Sequence, residues 1–170
     1  MSEPISANAV KELRDRSGAG IMECKRALED SSGNVEQALG LLRDQGFAKA
    51  EKRADRATSQ GAVDCYIHGG GRIGALVEVN CETDFVGRTD DFKALAHDLA
   101  MQVAATNPRY LSAEDVPSGE EGDPKETCLL EQPFIKNPGL SIRDLINATV
   151  SKTGEVVRVR RFARFELGGE

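Results

Sequence analysis

The residues best able to act on another molecule lie in the stretch Glu78-Val79-Asn80-Cys81-Glu82-Thr83-Asp84-Phe85-Val86. An acid and a large aromatic stand side by side there: Asp84 offers charge or hydrogen bonding, Phe85 apolar contact. An enzyme needs more, namely a nucleophile with its base, a carboxylate pair or a metal cluster. Cys81 is the nearest nucleophile, but no histidine is placed by sequence to activate it. His68 and His97 are the only imidazoles in the chain. His97 falls inside a helical pattern, where histidine is more often structural or on the surface than a base. Cys24, Cys65, Cys81 and Cys128 are far apart, with no CxxC pair and no histidine at metal spacing. They read as free thiols of a cytoplasmic protein, with a bridge between chains left open. Gly69, Gly71 and Gly74 match GxGxxG, yet a strand pattern follows where a dinucleotide site needs a helix N-terminus. With no GxxxxGK[ST] loop either, no cofactor is expected and the chain alone should not hold nucleoside phosphates. Binding, not catalysis by its own side chains, is the class these residues favour.

Two elements must position Asp84 and Phe85. Ile73, Ala75, Val77 and Val79 form one face of a strand that stops at Asn80, and Phe92, Leu95, Ala96, Leu99 and Val103 recur at helical spacing. The pair is therefore predicted at a strand-to-helix turn, where side chains project from a rigid base. Local pattern by itself favours a plainer role, with Phe85 opening the buried face of a helix that runs to about Ala105 and Asp84 helping to cap it. Upstream, Val63, Cys65 and Ile67 alternate with Asp64, Tyr66 and His68. The turn Gly69-Gly70-Gly71-Arg72 joins the two strands as a hairpin.

Residues 5 to 56 read as helical. Ser6 is an N-cap for a helix carrying Val10 and Leu13, ended by Ser17-Gly18-Ala19-Gly20. A second helix from Ile21 to about Asp30 buries Cys24, Ala27 and Leu28, and Ser31-Ser32-Gly33 breaks it. Asn34 with Gln37 marks the start of a third, with Val35, Ala38, Leu39 and Leu42 inside. Gly46 is expected to end it. Phe47 to Ala57, rich in Ala and in charges of both signs, reads as a solvated linker helix. The expected division is a three-helix, ubiquitin-associated-like module with its linker over 1–56 and a core domain over 57–170.

Downstream of the long helix, Ser112-Ala113-Glu114-Asp115 resembles a capping box, with Pro117 allowing at most a short turn. Pro117 to Glu126 is polar and reads as an exposed loop or mobile insertion. Leu129, Leu130, Phe134 and Ile135 are expected in the core, with Pro133 and Pro138 forbidding a long element. Ser141 caps a helix carrying Ile142, Leu145, Ile146 and Val150, which Gly154 ends. Val156 to Leu167 reads as a long strand whose alternation slips near Arg160-Arg161, the mark of a bulge. The predicted class is α+β, about three antiparallel strands with helices packed on one face.

Composition bounds the partners. Of 170 residues, 39% are hydrophobic and 29% charged, enough to bury a core and unlike a disordered tail. A net charge of -6 argues against nonspecific binding to nucleic acid or anionic lipid. No apolar run approaches the ~20 residues of a membrane span. Met1-Ser2-Glu3-Pro4 carries neither a signal peptide's basic and apolar regions nor a transit pattern.

Two segments carry a family resemblance. The run Leu13-Arg14-Asp15-Arg16-Ser17-Gly18-Ala19-Gly20-Ile21-Met22-Glu23-Cys24-Lys25-Arg26-Ala27-Leu28 closely resembles the N-terminal signature of the elongation factor Ts family. Glu78 to Val86 resembles its second signature. The separation is the expected one, and the likeness extends through Leu130-Glu131-Gln132-Pro133-Phe134. Ser17 stands where Thr is usual, and Gly87 where Ala or Ser is usual. The resemblance implies a guanine nucleotide exchange factor for elongation factor Tu, in its GDP-bound and nucleotide-free forms, and not an enzyme. It implies that Asp84 and Phe85, flanked by Thr83 and Val86, insert beside the partner's magnesium and phosphate site. It implies that Arg14, Ile21 and Met22 form the N-terminal module's contact; read from pattern alone, these three are helix packing. Short members of the family are expected to pair as homodimers. The alternative from another class is a non-catalytic interaction module of ubiquitin-associated type, which binds a partner without speeding nucleotide release.

Overall fold

The computed structural model describes residues 5–52 and 55–169, the side chains of residues 47 and 49–52 excepted. Met1-Ser2-Glu3-Pro4, and Arg53 and Ala54 of the expected linker, lie outside these residues. Contacts divide the chain into two units. One holds the helices up to Arg56 together with Asn147–Val156; the other holds Ala57–Ile146 with Val157–Glu170.

In the first unit, α1 (Ala7–Ser17) starts at Ser6, whose side chain accepts from the Ala9 N–H, and stops at Gly18 in the left-handed conformation. Helix α2 (Ile21–Asp30) buries Cys24, Ala27 and Leu28. Asn34 Oδ1 accepts from the Gln37 N–H at 3.0 Å and opens α3 (Val35–Lys52). Leu13, Ala19, Cys24, Ala27, Leu28 and Ala38 form the core, with Val10, Val35, Leu39 and Leu42 partly buried around it. Gly46 does not end α3; the helix runs through it to Lys52. Glycine costs a helix interior only about 1 kcal/mol, and the Ala-, Lys- and Glu-rich sequence beyond it has strong helix propensity. The third helix and the linker helix are thus one element.

The second unit is built on a sheet in the order β1-β2-β5, antiparallel throughout, formed by β1 (Gln60–His68), β2 (Ile73–Cys81) and β5 (Val157–Glu166). Ala75, Val77, Val79 and Cys81 of β2 are buried, and α5 (Asp90–Thr106) packs on the sheet with Phe92, Leu95, Ala96, Leu99 and Val103 buried. The opposite sheet face exposes Val63, Ile67, Leu76 and Phe165. This is an α+β fold. In β5 the register passes from Val79↔Val159 to Glu78↔Arg161, so Arg160 is the extra residue of a bulge. That is where the alternation slips.

Between α5 and β5 come a 3-10 turn at Ala113–Asp115, α6 (Pro124–Thr127), a small sheet of β3 (Pro133–Phe134) with β4 (Asn137–Ser141), and α7 (Ile142–Thr153). Gln102 of α5 is fully buried and holds this region. Its Nε2 donates to Gln132 Oε1 and to the Pro133 carbonyl, both at 3.1 Å, and its Oε1 accepts from the Ile135 N–H at 2.9 Å. Leu129 and Phe134 are core as expected, Leu130 is half-buried, and Ile135 is exposed. The Gln102 bond fixes the backbone of Ile135, and its side chain turns outward.

Candidate functional site

The stretch that leaves β2 does not feed straight into the long helix. It forms a separate single turn, α4 (Asp84–Gly87), and α5 begins afresh at Asp90. Two threonines make the break. Thr83 is extended, and its Oγ1 accepts from the Val86 N–H at 3.4 Å, so it and not Asp84 is the cap. Thr89 is extended as well; its hydroxyl donates to the Val86 carbonyl at 2.8 Å and accepts from the Phe92 N–H at 3.3 Å. Each threonine satisfies a donor that a helix start otherwise leaves bare. Thr89 followed by Asp90-Asp91 is a helix-start signature in the sequence, and it was the available sign of the break.

The turn is clamped from below. The Cys81 thiol donates to the Thr83 carbonyl at 3.1 Å, and the Gly87 N–H donates to the same oxygen at 3.3 Å. Val86 is buried. Gly87 lies directly on Gly61 of β1: a Cβ at Gly87 would stand 3.3 Å from Gly61 Cα and 3.5 Å from Cys81 Sγ. Gly61 itself has φ of 142°, and a Cβ there would meet the Val79 carbonyl oxygen at 2.0 Å. Glycine at both positions lets the turn seat on the strand.

With Val86 and Gly87 buried, the neighbouring side chains are driven outward. Phe85 is 77% exposed, so it is not the first residue of a buried helix face. Asp84 is exposed too, and its Oδ2 lies 3.0 Å from Arg88 Nη2. At the foot of the stretch, Glu78 accepts from Arg161 Nε at 2.7 Å and Arg160 Nη1 at 3.1 Å, with Asn80 as a further donor. Arg161 first, then Arg160, hold the Glu78 carboxyl below the usual carboxylate range. The bulge brings two consecutive arginines to one acid. Pattern in the sequence assigns no part in the site to Arg88 or Gly61; the sign of the first was an acid and an arginine four residues apart.

The other three residues belong to the first unit. Arg14 is exposed near the end of α1. Ile21 and Met22 open α2 and are 56% and 64% exposed. They stand outside the core that Cys24, Ala27 and Leu28 enter, so helix packing does not account for them. The connecting turn is held by Ser17, whose Oγ accepts from the Ala19 N–H at 3.2 Å. That role needs a hydroxyl, which Ser and Thr both carry. Among the described residues, no group of three or more His, Cys, Asp or Glu could hold a metal ion. Nor is any helix among them long and apolar enough to cross a membrane.

What the two clusters share is exposed apolar side chains on fixed backbone, an arrangement suited to contact with a macromolecule. Comparison with known proteins gives the lineage. A family model described as "Elongation factor TS" matches residues 42–120. The chain is 49% identical to elongation factor Ts of Carboxydothermus hydrogenoformans over 96% of its own length and 89% of the relative's. For elongation factor Ts of Syntrophomonas wolfei the identity is 50%, over 96% and 91%; for that of Moorella thermoacetica it is 48%, over 96% and 96%. These alignments run over 194 positions while using 96% of a 170-residue chain, so the relatives carry segments that this chain lacks. The chain belongs to the elongation factor Ts family of translation elongation factors.

Proposed function

We propose that this protein is a guanine nucleotide exchange factor for elongation factor Tu, acting by binding alone, in the cytoplasm. It speeds GDP release so that GTP, and then aminoacyl-tRNA, can bind. The observation that carries this reading is Phe85, a large aromatic 77% exposed on a turn locked by Thr83, Cys81 and Thr89. Leaving such a side chain in water is unfavourable, and burying it in a partner crevice contributes roughly 1.5–3 kcal/mol. Magnesium demands near-octahedral coordination, so a small displacement around it weakens nucleotide binding. Asp84 and Phe85, with Thr83 and Val86 shaping the turn, enter beside the partner's magnesium and phosphate site. Arg14, Ile21 and Met22 hold the partner's nucleotide-binding domain. The coupling is reciprocal: the factor by which this protein weakens GDP is the factor by which GDP weakens this protein.

Release of fluorescent GDP from elongation factor Tu tests the reading. The expected result is a release rate that rises with the concentration of this protein. Tight binding with unchanged release selects the ubiquitin-associated-type interaction module instead.

A homodimer is part of the same proposal. The sheet face away from α5 carries Val63, Ile67, Leu76 and Phe165, all exposed, and a second copy would cover it. Sedimentation of the protein alone is expected to give the mass of a dimer; a monomer at micromolar concentration sinks this part.

A further inference from the structure

We propose that Arg88 is a positioning residue for exchange: it is the counter-ion that lets the Asp84 carboxylate enter the partner interface. This rests on the exchange reading of α4 and deepens it. The two groups lie four residues apart on one short turn, with Arg88 Nη2 3.0 Å from Asp84 Oδ2. Both side chains are largely in water, 62% exposed for Asp84 and 78% for Arg88. In that setting the pair contributes almost nothing to stability, since water and salt screen it. Folding therefore gives no account of why the pair stands there.

Binding does. Arg88 needs no search to find Asp84, because the backbone that fixes one fixes the other. Its N–H donates to the Phe85 carbonyl at 3.3 Å, and the next residue, Thr89, is tied to Val86. When Phe85 drives the turn into a partner, Asp84 loses water along with it. A carboxylate desolvated alone is costly, and beside a phosphate it is repelled as well. The guanidinium travels with the carboxylate at hydrogen-bonding distance, and their attraction strengthens as the dielectric around them falls. A pair of little worth in the free protein gains its value in the complex. Arg88 acts through Asp84, and its importance depends on Asp84 being charged.

The test is a double-mutant cycle read by fluorescent GDP release from elongation factor Tu, using the full chain. Arg88→Ala is expected to lower stimulated release about thirtyfold, the low end for truncating one partner of a desolvated charge pair. Arg88→Lys should recover most of the loss, and the thermal midpoint of Arg88→Ala should match the wild type. In an Asp84→Asn background the amide needs no counter-ion, so adding Arg88→Ala should change release by less than about twofold. A loss of equal size in both backgrounds overturns the proposal, as does a loss below about twofold in the wild-type background. If Asp84→Ala/Phe85→Ala releases GDP like the wild type, the reading of the site falls and this inference with it. If that variant is impaired while Arg88→Ala is not, the inference alone falls.

Discussion

Replacing Asp84 and Phe85 together by alanine is expected to lower stimulated GDP release from elongation factor Tu by about a hundredfold, with the fold unchanged. The size follows from burial. Losing a Phe side chain from a partner crevice removes roughly 1.5–3 kcal/mol, and each 1.4 kcal/mol is a factor of ten. Removal of the Asp84 charge adds to that loss. The fold should tolerate the change because Phe85 is 77% exposed, and the turn is held by Val86, Gly87 and the two threonines, all retained. Stopped-flow release and a thermal melt of the same sample decide the matter. Wild-type release from a correctly folded variant, with a partner known to be active, removes the site from α4.

Gly61→Ala is expected to destabilise the sheet-bearing unit by about 3–5 kcal/mol, the sum of backbone strain and overpacking. Two observations at one position lead there. The φ of 142° is one that L side chains rarely adopt, and the added Cβ would meet the Val79 carbonyl oxygen at 2.0 Å and Asn80 Cα at 2.8 Å. These are backbone atoms of the neighbouring strand, which cannot swing aside as a side chain can. Gly70→Ala is the control: it also has positive φ, but nothing lies within 4 Å of its Cβ. Its cost should be near the ~1–2 kcal/mol of a left-handed residue alone. Denaturant midpoints for both proteins give the comparison. A Gly61→Ala protein within about 1 kcal/mol of the wild type refutes the steric argument.

The elements that could be read from the residues are those whose signal is local and periodic. Ile73 to Cys81 alternates because one face packs on α5 and the other does not, and the slip at Arg160-Arg161 is the bulge itself. Ser6, Gly18, Asn34 and Gly154 mark helix ends through hydrogen bonds or backbone angles that only a few residue types provide. Where two local rules compete, pattern alone does not choose between them. Gly46 is a stop signal set against a strongly helical run, and the run prevails. Phe85 sits at a spacing compatible with the buried face of α5, yet Thr89 restarts the helix and turns Phe85 outward. Ile135 looks like core, but a partner distant in sequence, Gln102, decides its orientation. The seat of α4 on Gly61 is a contact between residues far apart in the chain, which no local pattern records. The roles proposed for Asp84 and Phe85 rest on resemblance, since an acid beside an aromatic has no periodic signature.

The discontinuity of both units bears on how the protein is made. β2 is the central strand of the sheet, but the partner on one of its edges is β5, so Val79 waits for Val159. The helical unit likewise includes Asn147–Val156. During synthesis from the N-terminus, the β1-β2 hairpin and α5 emerge first, with one edge of β2 open to strand addition by another nascent chain. The helical unit can close once Asn147–Val156 has left the ribosome, but the sheet must wait for β5. A protein that belongs to the machinery of elongation thus cannot complete its own sheet until elongation has carried its chain past Glu166.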